Sequence, residues 1–190
     1  MPRMDETERL TTLRAMAHPA RLQILSLLTG TAMSAAEVAR ELGTTQANAS
    51  YHLRRLHDAG EVELVEEVEI RGGVARRFRC VPFDDGPRTP PTDQHVAGPE
   101  ERGFFAALTA ELQRRAAGRL RDGRSINVDA ELWVAPEDWE HAIRRITEVA
   151  DELHRRARPP RTPGAVRTST TLAMFAMDPA ARPVAPEDDA

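Results

Sequence analysis

The hydrophobic pattern changes period once within the first eighty residues, from helical spacing to alternation. Leu10, Leu13 and Met16 recur at three-residue steps and predict a short helix, because apolar residues three or four apart share one helical face. His18 and Pro19 interrupt it. Pro19 suits the first turn of a second helix, where its missing N–H costs nothing; Leu22, Leu25 and Leu28 line that helix, and Gly30 ends it. Ser34 and Glu37 have the spacing of a capping box, each able to hold the other's backbone N–H. Val38, Ala39 and Leu42 give the third helix its apolar face, and Gly43 supplies a tight turn. Thr45 is the expected cap of a fourth helix reaching about Ala59, with Ala49, Leu53 and Leu56 on its buried face. From residue 61 the period is two. Val62, Leu64, Val68 and Ile70 share one face of a strand whose other positions are mostly Glu. Gly72 and Gly73 read as a hairpin turn. In the strand that follows, Val74, Phe78 and Cys80 share one face, and Ala75, Arg77 and Arg79 the other.

Residues 82–99 carry five Pro, two Gly and no apolar period, which is linker composition. Beyond them, Phe104, Leu108, Leu112 and Leu120 recur at multiples of four and predict a helix over 100–122. Residues 126–134 alternate strictly, with Ile126, Val128, Ala130, Leu132 and Val134 on one face, and predict a half-buried strand. Pro136 opens another helix with acids in its first turn, where the helix dipole favours them. Trp139, Ile143, Ile146, Ala150, Leu153 and Ala157 form its stripe. A second Pro-rich break spans 158–164, and 166–177 is β-branched and then apolar, again a strand. The pair suggests a right-handed βαβ unit, with an antiparallel return as the alternative. Two strands are too few to be stable alone, so cover from the preceding helix, the first half or a second protomer is required; the second protomer is the favoured one. The division expected is 1–83, a linker 84–99, a second unit 100–177 and a disordered tail 178–190. The fold class is α+β.

Composition narrows the functions. The chain has 190 residues, 41% of them hydrophobic, and no apolar run of the length that spans a bilayer. The polar N-terminus predicts no secretory signal, and the cytoplasm is the expected compartment. One cysteine, Cys80, excludes a disulfide framework and a Cys-rich zinc site. All 26 basic residues are arginine. Residues 1–83 hold 11 Arg against 11 acids, and the remainder 15 against 19, so the formal charge of −4 lies in the second half. Any nucleic-acid site must therefore come from local placement of a few arginines rather than from bulk charge.

Short helices joined by a Gly turn and followed by a hairpin have the order of a winged helix-turn-helix. The stretch AMAHPARLQILSLL, followed by SAAEVARELGTTQANASYHLRRLHDAGEVELVEE, resembles the arsenic-repressor-like (ArsR-like) bacterial transcription regulators over about residues 8–82. The resemblance implies a homodimer whose recognition helices enter successive major grooves of double-stranded operator DNA. Helical geometry independently places Ala47, Asn48, Tyr51, Arg54, Arg55 and Asp58 opposite the buried face of the fourth helix, with Thr45 and Gln46 at its N-terminal end. Gln and Asn can read adenine by paired hydrogen bonds. Tyr51 suits a thymine methyl or a phosphate, and Arg54 and Arg55 phosphates or guanine. Ser50 and His52 flank this face as candidate phosphate donors. Arg71, Arg76 and Arg77 surround the wing turn, and a narrow minor groove attracts such arginines. An exposed polar helix face alone is usually only solvated; the ordered motifs are what favour DNA.

Metal-sensing members of this family use Cys pairs or Asp/His sets, and this sequence departs from both. Cys80 is single, and no two of the six histidines are spaced three or four apart, the spacing that puts two ligands on one helix face. No metal and no cofactor are expected. Phe104, Phe105, Trp133, Trp139, Met174 and Phe175 could line a cavity for a small apolar effector, although such stripes are more often plain core. No phosphate-cradling loop, nucleophile elbow or metal box supports an enzyme. The expectation is a homodimeric, sequence-specific DNA-binding regulator, a repressor by preference, with no membrane partner. The alternative is a winged-helix interaction module, or a small-molecule-binding protein, that does not bind DNA.

Overall fold

The computed structural model describes residues 6–70, 73–81 and 98–179. The expected wing residues Arg71 and Gly72, nearly all of the linker and the tail from 180 lie outside the described residues. In chain order the elements are α1 (Glu6–Met16), α2 (Pro19–Leu28), β1 (Met33–Ser34), α3 (Ala35–Leu42), α4 (Gln46–Asp58), β2 (Val62–Ile70), β3 (Gly73–Cys80), α5 (Pro99–Ala116) and α6 (Pro136–Arg155).

The first half folds as its pattern predicts. Pro19 stands at the start of α2, and the cap before it is His18, whose ring Nδ1 accepts from the Ala20 N–H at 3.1 Å. Arg21 on α2 reaches back to donate to the carbonyls of Arg14 and Ala15, closing the end of α1. The capping box of α3 is complete: Ser34 Oγ accepts from Glu37 N–H at 3.4 Å, and the Glu37 carboxylate accepts from Ser34 N–H at 2.7 Å. Ile24, Leu28, Met33, Val38, Ala39, Ala49, Leu53, Leu56, Val62 and Phe78 form one buried core under α2, α3, α4 and the sheet.

The sheet is antiparallel in the order β1-β3-β2. β1, which the sequence did not signal, is two residues long and pairs Met33 with Phe78 and Ser34 with Arg77. β2 and β3 form the wing, and a bulge between Leu64 and Glu66 shifts their register. The expectation that Val62, Leu64 and Val68 share a face fails at this point. Val62 and Leu64 oppose Cys80 and Phe78, but past the extra residue Val68 opposes Ala75, on the other face.

The second half departs further. α5 ends at Ala116, short of the expected 122, because Ala117 and Gly118 turn back on Gln113 and Arg115. α5 packs against α1 and α2, with Ala107 and Glu111 buried, while Leu112 and Leu120 remain 48% and 74% exposed. Residues 126–134 and 166–177 are not strands in this chain: among the described residues no backbone hydrogen bond engages them, and their apolar side chains are exposed. The helix-strand-helix-strand unit is thus absent from the single chain. Alternation fixes which side chains would share a face, but a strand exists only where another edge pairs with it.

Candidate nucleic-acid interface

The turn from α3 into α4 depends on Gly43, which sits at φ +64°, where a side chain would be strained, and closes the end of α3 on Ala39. Thr45 then caps α4, its Oγ1 accepting from Asn48 N–H at 3.2 Å. Ala49, His52, Leu53 and Leu56 hold the inner side of α4 in the core. That anchorage turns Thr45, Gln46, Ala47, Asn48, Tyr51, Arg54 and Arg55 outward, all exposed, with Ser50 half-buried beside them. Among the described residues Arg54 and Arg55 have no ion-pair partner. The Asn48 amide donates one of its two N–H groups to Thr44 Oγ1 at 3.0 Å, which leaves the second N–H and the carbonyl oxygen to meet a ligand.

His52, grouped by sequence with the outward set, is a correction. It is only 6% exposed, its ring centroid lies 4.8 Å from that of His18, and its Nδ1 has no hydrogen-bond partner among the described residues. Burial, the His18 ring and Arg21 all hold it below the ordinary imidazole value, so it stays neutral. His18 is lowered by burial and then by Arg21. His52 positions α4 on α2 from within.

The wing arginines also behave differently from the α4 pair. Arg77 donates to Glu37 at 3.1 Å and to the Ala32 carbonyl at 2.6 Å, and lies 3.5 Å from Glu66. It is a strut that ties the wing to the start of α3 and is not a free cation. Arg76 pairs with Glu67 at 2.9 Å across the ladder. Opposite Arg79 in register stands Glu63. The acids of β2 therefore neutralise much of the wing's basic charge, and Arg71 lies outside the described residues.

Residues 16–65 match the family model of the helix-turn-helix domain. This helix-turn-helix domain covers α2, α3, α4 and the start of β2, and its second and third helices are the two joined at Gly43. The match supports a DNA-binding regulator. No curated protein matches the chain.

The aromatic set proposed for an effector is only partly gathered. Phe104 and Phe105 lie 5.4 Å apart, and Phe175 meets Phe105 edge-on at 5.4 Å. Trp139 is half-buried on α6 and Met174 is 37% exposed, whereas Trp133 is 87% exposed and enclosed by nothing in this chain. Among the described residues no group of three or more His, Cys, Asp or Glu side chains could hold a metal ion, and no helix is long and apolar enough to cross a membrane.

Two residues near the interface had no signal in the sequence. Arg21 acts on both Tyr51 and Arg55 through its charge, although it is thirty residues away and its period assigns it only to α2. Thr44 enters through its hydroxyl on Asn48, a pairing that the i, i+4 spacing permits but does not demand.

Proposed function

We propose that this protein is a sequence-specific, double-stranded DNA-binding transcription regulator that acts as a homodimeric repressor in the cytoplasm. The observation that carries the reading is the outward face of α4. Gln46, Asn48, Tyr51, Arg54 and Arg55 are exposed on a helix anchored from behind, inside a helix-turn-helix domain. Such a helix docks in the major groove, its N-terminal residues against base edges and its arginines against phosphate or guanine. Arg76 lies toward the minor groove, and its exchange of Glu67 for a phosphate is the wing's contribution. The aromatic set around Phe105 and Phe175 is where an apolar effector would act.

Selection of bound genomic fragments by the purified protein tests this, followed by fluorescence anisotropy on the recovered site. Arg55→Ala and Gln46→Ala each weaken binding about 10-fold or more, since a lost base contact costs roughly 1–3 kcal/mol, while circular dichroism stays unchanged. Unchanged affinity in both variants sinks this docking. The competing reading, an interaction module without DNA binding, draws on the neutralised wing, and it predicts that no fragment is enriched.

A further inference from the structure

Residues 126–134, which alternate apolar and polar, and residues 166–177, β-branched and polar and then apolar, lie outside any helix or strand, and among the described residues no backbone hydrogen bond engages them. Ile126, Val128, Leu132 and Trp133 are 74–89% exposed, and Val166, Leu172, Phe175 and Met177 are 53–78% exposed. α6 between them carries its Trp139, Ile143, Ile146 and Leu153 stripe with no residue fully buried. Water satisfies such backbone groups, but it does not hold a chain extended against its conformational entropy.

The chain between the segments is tied to the helix-turn-helix domain. After α6, the chain docks on the helix-turn-helix domain. The Arg158 carbonyl lies so close to Gly30 that a Cβ there would sit 2.7 Å from its oxygen, and Arg161 pairs with Glu41 on α3 at 2.6 Å. Phe175 then rests on Phe105 of α5. Residues 166–177 thus follow a stretch tied to that domain and meet α5 through Phe175, while the apolar side chains of 126–134 are exposed.

We propose that residues 126–134 of one copy pair as a β-strand with residues 166–177 of a second copy, and the reverse, with the α6 helices covering one face of the shared sheet. This takes up the homodimer of the proposed function and assigns its contact. Four observations favour a second copy over any other occupant. The polar positions of the first segment are acidic, Asp129 and Glu131, whereas the second carries Arg167 and hydroxyls, so the chain is complementary to itself. A two-fold axis makes the exchange reciprocal and turns two strands too few to be stable into four. Lengths agree: 20 residues of α6 and a nine-residue strand both span about 30 Å. The eight exposed side chains of the two segments, at roughly 60–120 Å² apiece when fully buried, supply about 500–1,000 Å² per copy, against about 800 Å² per partner in a standard interface.

The test is amide hydrogen exchange on the full-length protein at two concentrations, alongside sedimentation. Slowed exchange in both segments that disappears on dilution, as the protein becomes monomeric, is the expected result. Protection that persists in the monomer places the pairing within one chain and overturns the proposal. A dimer in which both segments exchange freely overturns it too. Val128→Pro removes a ladder donor at a residue that makes no contact in the single chain. It is expected to raise the dimer dissociation constant at least 10-fold, while protection of α2–α4 reports that the domain still folds. A Val128→Pro protein that dimerises as tightly as the parent counts against pairing. Operator binding is read separately: protected segments without DNA binding would sink the proposed function alone, and DNA binding with unprotected segments would sink this pairing alone.

Discussion

Two sets of titratable groups make stability fall as the pH falls, in two separate windows. Burial and the Arg21 guanidinium hold His18 below the ordinary imidazole value of 6.5, and burial, the His18 ring and Arg21 do the same for His52. The folded state therefore binds fewer protons than the unfolded chain once the pH drops below about 6.5. Stability is fully present above that pH, falls as the pH falls, and stops falling below the folded-state value. His18→Asn retains a capping oxygen and His52→Phe fills the buried site, so the double variant should lose this part of the pH dependence in denaturant titrations between pH 7.5 and 5.5. An unchanged slope would detach the pair from stability. Glu111 sets a second, more acidic window. It is 1% exposed, and burial alone would raise it, but hydrogen bonds from Arg114, Arg115 and Gln23 outweigh that and lower it to about 2 from 4.5. Its contribution, about 3 kcal/mol at most by linkage, is present above pH 4.5 and lost as the pH falls toward 2. Gln23 places one end of this cluster on α2, so Glu111 also clamps α5 to the helix-turn-helix domain.

At the scale of elements, local signals were legible and non-local ones were not. Ser34, Glu37, Gly43 and Thr45 act within three or four residues, and the structure places each where spacing put it. β1 is two residues whose only reason to be extended is β3, some forty-five positions later. The bulge at Val65 is likewise a property of the pair of strands. The outward face of α4 was readable because its inner stripe is regular; the burial of His52 was not, because a histidine on the flank fits either side and only His18 decides. Arg77 reads as a wing cation until Glu37 and Ala32 are beside it. Caps offer the cleanest test of the local part. Ser34→Ala removes the hydroxyl half of the box, leaving the Ser34 N–H on Glu37, and should cost about 1 kcal/mol, a melting-temperature drop of about 2–4 °C at this chain length. Gly30→Ala should cost a similar amount or more through the Arg158 carbonyl, and it should speed proteolysis in 158–164, whereas Ser34→Ala should not. Equal cleavage in both variants would mean that this docking is not held at Gly30.

At the scale of the molecule, the second half contributes little burial of its own: among the described residues beyond 98, only Ala107 and Glu111 are fully buried. Its exposed apolar surface and the outward face of α4 pose one problem. A single α4 offers few base contacts, and about 10³–10⁷ of discrimination over non-specific DNA is typical of proteins that find one site. A second α4, fixed by a two-fold axis about 34 Å along the duplex, doubles the contacts without new chemistry. The second helix then binds at the effective concentration set by the dimer, so tethering adds about 10²–10⁴ in affinity. If residues 126–134 and 166–177 create that axis, Val128→Pro should leave affinity for an isolated half-site unchanged and lower affinity for the full palindrome by a factor in that range. Anisotropy titrations of both duplexes at one fixed salt concentration separate the cases, because phosphate contacts alone change steeply with salt. Arg55→Ala should do the reverse, weakening half-site and palindrome alike. A Val128→Pro protein that binds the palindrome as tightly as the parent would show that the recognition helices are paired through another surface, with the two exposed segments serving something else.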